Sequence, residues 1–246
     1  MAPVFLIGGG RGDDAIRASH AGFVRAARGG PIVAFVLDEG EETDPERWTD
    51  ALALSGAGEV RAVIVSPARP PRRSDLHGAA GVFVAGGWTP GYQEALVAAA
   101  GTDWLPRELP YAGYSAGAAI AAATAIVGGH RRDDGRAVGA EEAGEDLEAL
   151  TVRPGLGLVP FAVDVHATQW GTLTRLVHAV DAGLVDAGWA VDEGTALVAD
   201  DGPLRVEGLG SAYRVARAGE RLCVTVNEAR PAGAGRESGG AGRLRG

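Results

Sequence analysis

The chain has 246 residues, 46% of them hydrophobic and 22% charged, which is enough for one generous domain around a sizeable core. Its formal net charge of −9 argues against a general nucleic-acid binder, since phosphate contacts need a basic face. All 23 positive residues are Arg, so Lys-based catalysis and the phosphate-loop Lys are excluded too.

Cys223 is the only cysteine, which precludes an internal disulfide and fits a reducing compartment. The apolar start Val4–Ile7 is cut short by Gly8-Gly9-Gly10, too soon for a signal peptide, and no run reaches the ~20 apolar residues of a membrane helix. The expectation is a cytoplasmic protein.

In chain order, Val4–Ile7 reads as a buried strand ending in glycines, and Asp13–Arg28 as a helix. Pro31–Leu37 is a second strand closed by Asp38-Glu39-Gly40. Asp44-Pro45 is an N-cap with Pro at the first helical position, opening a helix to Leu54. Val60–Val65 and Gly81–Val84 are strands, Tyr92–Ala100 a helix, and Leu109–Tyr114 a fifth strand. Continuously apolar strands alternating with helices imply an α/β fold with a parallel sheet covered on both faces.

The pattern dissolves from Gly128 to Gly157, where Glu141–Glu148 carries five carboxylates in eight residues. The expectation is a solvated surface segment, with a flap as the alternative. Thr172–Leu184 reads as a helix. Trp189–Val191, Ala196–Ala199, Leu204–Val206, Ala212–Val215 and Leu222–Val226 read as a closing antiparallel β-meander. Residues 1–229 are expected to form a single domain, and the Gly- and Arg-rich stretch 230–246 a disordered tail.

The chemistry concentrates in Gly113-Tyr114-Ser115-Ala116-Gly117. A strand running into G-x-S-x-G and then an Ala-rich helix forms a turn tight enough to expose a serine hydroxyl in strained dihedrals. The helix N-terminus places N–H groups near the oxygen that becomes negative in acyl transfer. Gly86-Gly87-Trp88-Thr89 follows strand four in the same way, which makes Gly87 a second candidate oxyanion donor. Gly8-Gly9-Gly10-Arg11-Gly12 lacks both dinucleotide and phosphate-loop spacing and reads as a turn lining the site.

A serine hydroxyl needs a base. Of five histidines, His166 follows a strand at Phe161–Val165 and precedes a Gly-containing stretch, where a site loop belongs. Glu193 also follows a strand end, and Asp164 and Asp192 compete with it to orient the imidazole.

On these residues the chain resembles the S51 peptidase family, which comprises aspartyl dipeptidase and cyanophycinase. The landmarks run in order from Val4 to Ala199: Gly-Gly-Gly, Gly-Gly-x-Thr, Gly-x-Ser-Ala-Gly-Ala, Asp-x-His and Asp-Glu-x-Thr-Ala. The resemblance implies a flavodoxin-like fold related to class I glutamine amidotransferases. It also implies Ser115 as nucleophile, His166 as base, Glu193 as orienter, and the N–H groups of Gly87 and Ala116 as the oxyanion hole.

The implied activity is cleavage of a small peptide or isopeptide bond, aspartyl or β-aspartyl in the family, with no cofactor and no metal. The partner is a small peptide or amide substrate, neither nucleic acid nor membrane, and a homodimer is compatible with the sequence. The chain departs from its apparent relatives at Trp88, Val165, Trp170 and Thr172.

The substrate expectation therefore combines Asp164, an Arg175 that grips a carboxylate, and Trp88 and Trp170 as apolar walls; the alternative is that Arg175 pairs with a local acid and both tryptophans close the core. A carboxylate beside His166 is expected to hold its pKa near ~6.5 or somewhat above. Two other readings share features of this sequence. An α/β-hydrolase esterase shares the elbow but places its histidine late in the chain. A binding protein would keep the fold without turnover.

Overall fold

The computed structural model describes residues 1–229. Five apolar runs pair side by side as parallel strands: β1 (Val4–Ile7), β2 (Ile32–Leu37), β3 (Val60–Val65), β4 (Gly81–Val84) and β5 (Tyr111–Tyr114). β1, β2, β4 and β5 are buried along their whole length, as strands covered on both faces must be. β3 lies at the sheet edge and carries Arg61 outward. The covering helices include α1 (Asp13–Ala26) and α2 (Pro45–Leu54), the latter capped by Asp44 Oδ1 accepting from the Arg47 N–H at 3.0 Å.

Short helices follow the next two strands. α3 (Thr89–Gln93) starts three residues earlier than its apolar pattern suggested and widens into i→i+5 bonding over Glu94–Ala98. α4 (Ala116–Ala119) is a single turn, much shorter than the Ala-rich run suggested. Beyond it the chain enters β6 (Thr124–Gly128), which pairs antiparallel with β7 (Thr151–Pro154). That hairpin replaces the irregular stretch expected at its two ends, and residues 129–150 form a long excursion between its strands.

β8 (Ala162–Val165) leads through the His166 loop into α5 (Thr172–Asp181), and β9 (Ala187–Val191) then pairs parallel to β8. The remaining strands are antiparallel, as expected, but two sheets share them. β10 (Thr195–Ala199) and β11 (Arg205–Gly208) extend the main sheet beyond β1, giving the order β11-β10-β1-β5-β4-β2-β3. β12 (Ser211–Ala218) and β13 (Arg221–Glu228) complete a second sheet ordered β13-β12-β9-β8. The turn 192–194 thus passes from the second sheet to the first, and brings the carboxyl ends of β8 and β9 beside those of β1, β4 and β5.

The expectation for 230–246 lies outside the described residues. Among the described residues, no helix is long and apolar enough to cross a membrane.

Candidate active site

Ser115 lies between β5 and α4 at φ 51° and ψ −110°, a backbone region that L-residues rarely adopt. The surrounding turn is held by close packing. The Ser115 N–H donates to Ile7 O at 2.9 Å, and the Gly117 N–H to Ala85 O at 3.2 Å. A Cβ on Gly113 would fall 2.2 Å from Gly117 O, and one on Gly117 would fall 2.3 Å from Val84 O. Glycine is required at both positions because backbone, not a movable side chain, fills the space. Tyr111 OH and Tyr114 OH donate to Gly117 O and Gly10 O at 2.7 and 2.6 Å, fixing the turn to its own helix and to the β1 loop.

The serine hydroxyl meets a base. Ser115 Oγ lies 2.8 Å from His166 Nε2, and His166 Nδ1 lies 2.7 Å from Glu193 Oε1. With Nδ1–H donating to the carboxylate, Nε2 is free to accept the serine proton. His166 is itself left-handed, at φ 57°, and its N–H donates to Gly8 O at 2.9 Å. Gly9 lies beneath its ring, where a Cβ would come 2.1 Å from His166 Cε1. The glycine triplet after β1 therefore makes room for the imidazole, which is the site-lining part its sequence suggested. Trp170 stacks on the outer face of the ring, with centroids 3.9 Å apart and planes 8° apart.

Burial pushes the His166 pKa below its ordinary 6.5, outweighing the hydrogen bond and charge of Glu193, which raise it. The expectation of a value near or above 6.5 counted the carboxylate and missed the desolvation. Of the three competing acids, Glu193 alone reaches the imidazole. Asp192 accepts from Thr168 N and Oγ1, from Ser211 N and from Tyr213 OH, tying the His166 loop to β12. Gln169 Oε1 accepts from the Glu193 N–H at 3.0 Å, a positioning contact that no sequence pattern marked.

The expected grip of Arg175 on a substrate carboxylate does not fit its surroundings. Arg175 and Asp164 are both buried, and their fork is closed: Nε donates to Oδ2 at 2.9 Å and Nη2 to Oδ1 at 2.7 Å. Arg175 Nη1 donates to Ala143 O. Neither side chain lines the cleft over Ser115. A guanidinium already satisfied by an internal carboxylate has no free edge for a ligand.

Trp88 and Trp170 do line that cleft, which has a volume of about 1090 Å³, enough for a small peptide. So does residue 145, from the stretch expected to be a solvated surface. Its carboxylate accepts from Thr89 N at 3.1 Å and Thr89 Oγ1 at 2.8 Å, and its backbone O from Trp88 Nε1 at 3.2 Å. Burial raises the Glu145 pKa, partly offset by the Thr89 bonds. The acidic stretch is therefore a strap fastened across the cleft.

Among the described residues, no acceptor takes the backbone N–H of Gly87 or of Ala116. Glu39, at the carboxyl end of β2, accepts from Trp88 N at 2.8 Å and also lines the cleft. The sequence held one signal for Glu39, its place just past a parallel strand, where sites of such sheets gather.

Fold and site together define a doubly covered α/β protein with hydroxyl, imidazole and carboxylate in series at its strand ends. A solved structure, that of a Putative Peptidase E Protein from Listeria monocytogenes EGD-e, superposes on it with a TM-score of 0.59. The match covers 85% of this chain and 100% of that one at 17% identity, so the likeness is one of fold. No protein-family model and no curated protein matches the chain in sequence.

Proposed function

We propose that the protein is a serine hydrolase that cleaves a small peptide or amide through an acyl-enzyme. The observation that carries this reading is the series Ser115–His166–Glu193, with links of 2.8 and 2.7 Å at a strained turn facing an open cleft. The peptidase description of the structure that shares its fold supports the same reading.

Ser115 Oγ attacks the substrate carbonyl carbon as its proton passes to His166 Nε2, and Glu193 stabilises the imidazolium. The carbonyl oxygen becomes an oxyanion, for which the N–H groups of Gly87 and Ala116 are the available donors. The C–N bond then breaks, and His166 protonates the departing nitrogen. Water, deprotonated by the same imidazole, attacks the ester carbonyl and restores Ser115. Trp88 and Trp170 line the cleft beside the reacting centre, the latter stacked on His166.

A fluorophosphonate probe read by intact mass tests the nucleophile. One adduct is expected, on the peptide containing Ser115, and none in Ser115→Ala. Labelling elsewhere, or none with activated probes, overturns the reading in favour of a binding protein with this fold.

A further inference from the structure

We infer that the cleft over Ser115 takes a cationic substrate, its positive nitrogen held by Glu39 and the acids of the strap. This rests on Ser115 being the reacting centre of that cleft. The lining contains nine carboxylate side chains against three arginines. One carboxylate, Glu193, serves His166, Glu145 is bonded to Thr89, and Glu148 is paired with Arg131 at 3.6 Å. Arg47 lies over the Trp48 ring at 4.6 Å. Glu39, Glu42, Asp44, Glu141, Glu142 and Asp146 have no cation within 4.0 Å among the described residues, and Arg11 and Arg47, which keeps its charge over Trp48, are left to balance the six of them.

Placement gives this excess a direction. Both Glu39 oxygens stand over the glycine turn beside the nucleophile, 2.7 and 2.8 Å from where a Gly87 Cβ would lie. A Cβ on the preceding Gly86 would lie 3.0 Å from Ser115 Cβ. One Glu39 oxygen accepts from Trp88 N, and the other has no protein donor among the described residues. A substrate whose scissile carbonyl sits at Ser115 therefore brings its adjoining groups against a carboxylate. Glu141, Glu142 and Asp146 close the far side from the strap.

An excess of one sign of charge gathered in a cleft focuses the field, so cations are drawn in and carboxylates repelled. Arg175, the cation expected to attract an acidic side chain, is closed off by Asp164. The shared chemistry is a protonated nitrogen near the scissile carbonyl, either an α-ammonium or a guanidinium side chain.

Calorimetric titration of Ser115→Ala separates these. The ligands are arginine amide, Nα-acetylarginine amide, citrulline amide, Nα-acetylcitrulline amide and Nα-acetylaspartate amide. Arginine amide is expected to bind at least about tenfold tighter than the neutral Nα-acetylcitrulline amide, and the aspartate compound weakest of all. The two single-cation compounds show which nitrogen is held. The gap should shrink in 1 M salt, where the screening length falls to about 3 Å, and in Glu39→Gln.

Equal binding of charged and neutral amides, tighter binding of the aspartate amide, or binding of none overturns the cationic reading. Cation binding without probe labelling of Ser115 sinks the hydrolase reading alone, and labelling without cation preference sinks this one alone.

Discussion

At the scale of single residues, the site depends on a few atoms whose removal has distinct signatures. Ser115→Ala should lower turnover by at least ~10³ with the fold intact, read by kinetics beside circular dichroism. Gly9→Ala puts a methyl where His166 Cε1 lies, so it should displace the imidazole and cost at least ~10² in kcat while leaving Ser115 in place. In the proposed mechanism the neutral imidazole is the base, and burial holds its pKa below 6.5. Activity should therefore persist on acidification past pH 6.5 and fall only at lower pH. Glu193→Gln removes the charge that raises this pKa, so the inflection should move lower still as turnover drops. An inflection that moves up would mean that Glu193 does not act on His166. Ser115 was legible because G-x-S-x-G between a strand and a helix leaves room for little but a strained turn with its hydroxyl exposed. Residue type and position alone left the orienting acid open, since Asp164, Asp192 and Glu193 all sit near strand ends, and only the resemblance singled out Glu193. Strand alternation and the 192–194 turn decide which of them faces Nδ1, and neither is written in residue type.

At the scale of elements, the five parallel strands were readable because burial on both faces leaves them continuously apolar. The hairpin β6–β7 was not, because β7 is Thr-Val-Arg-Pro with no buried residue, and its partner lies across more than twenty residues of strap. The strap's five carboxylates resembled a solvated face. Its anchors lie far away in sequence: Thr89 holds Glu145, Thr174 Oγ1 donates to Val138 O at 2.7 Å, and Arg175 reaches Ala143 O. The Asp164–Arg175 fork thus ties β8, which precedes His166, to the strap over the cleft. Removing one member leaves a buried charge unpaired, so Arg175→Met should cost roughly 3–5 kcal/mol in urea unfolding. Removing both, as Asp164→Leu with Arg175→Met, should recover much of that stability but leave the strap without its Ala143 anchor. The double variant should then show raised KM with Ser115 still labelled. A double variant no more stable than the single would show that the fork is not the unit that matters.

At the scale of the whole molecule, strand order was the largest feature hidden from the sequence. Periodicity shows that strands exist but not which edge of the sheet β10 and β11 join, nor that β12 crosses to pair with β9. Long-range backbone pairing sets these, and only the finished core selects it. Inside that core lies a group the mechanism does not use. His20 on α1 is fully buried between Phe83 and Tyr114, with ring centroids 5.7 Å from each. Its Nδ1 donates to Ile16 O at 2.9 Å, and its Nε2 has no partner among the described residues. Burial pushes its pKa down to about 4, against the smaller raising effect of the Ile16 bond. Because the folded-state value lies below the unfolded ~6.5, the native state favours the neutral ring. Its contribution to stability is complete above pH 6.5 and is lost as pH falls from there to about 4, by roughly 3 kcal/mol in all. His20→Leu has nearly the same volume and nothing to protonate. It should unfold in urea at a similar or higher midpoint than wild type at pH 7.5, since an unpartnered buried nitrogen is also removed. At pH 4.5 it should exceed wild type by a clearly larger margin. Carboxylate titration weakens both proteins alike, so the difference between them isolates His20. Parallel loss of stability in the two would mean that the ring is not held neutral by the fold.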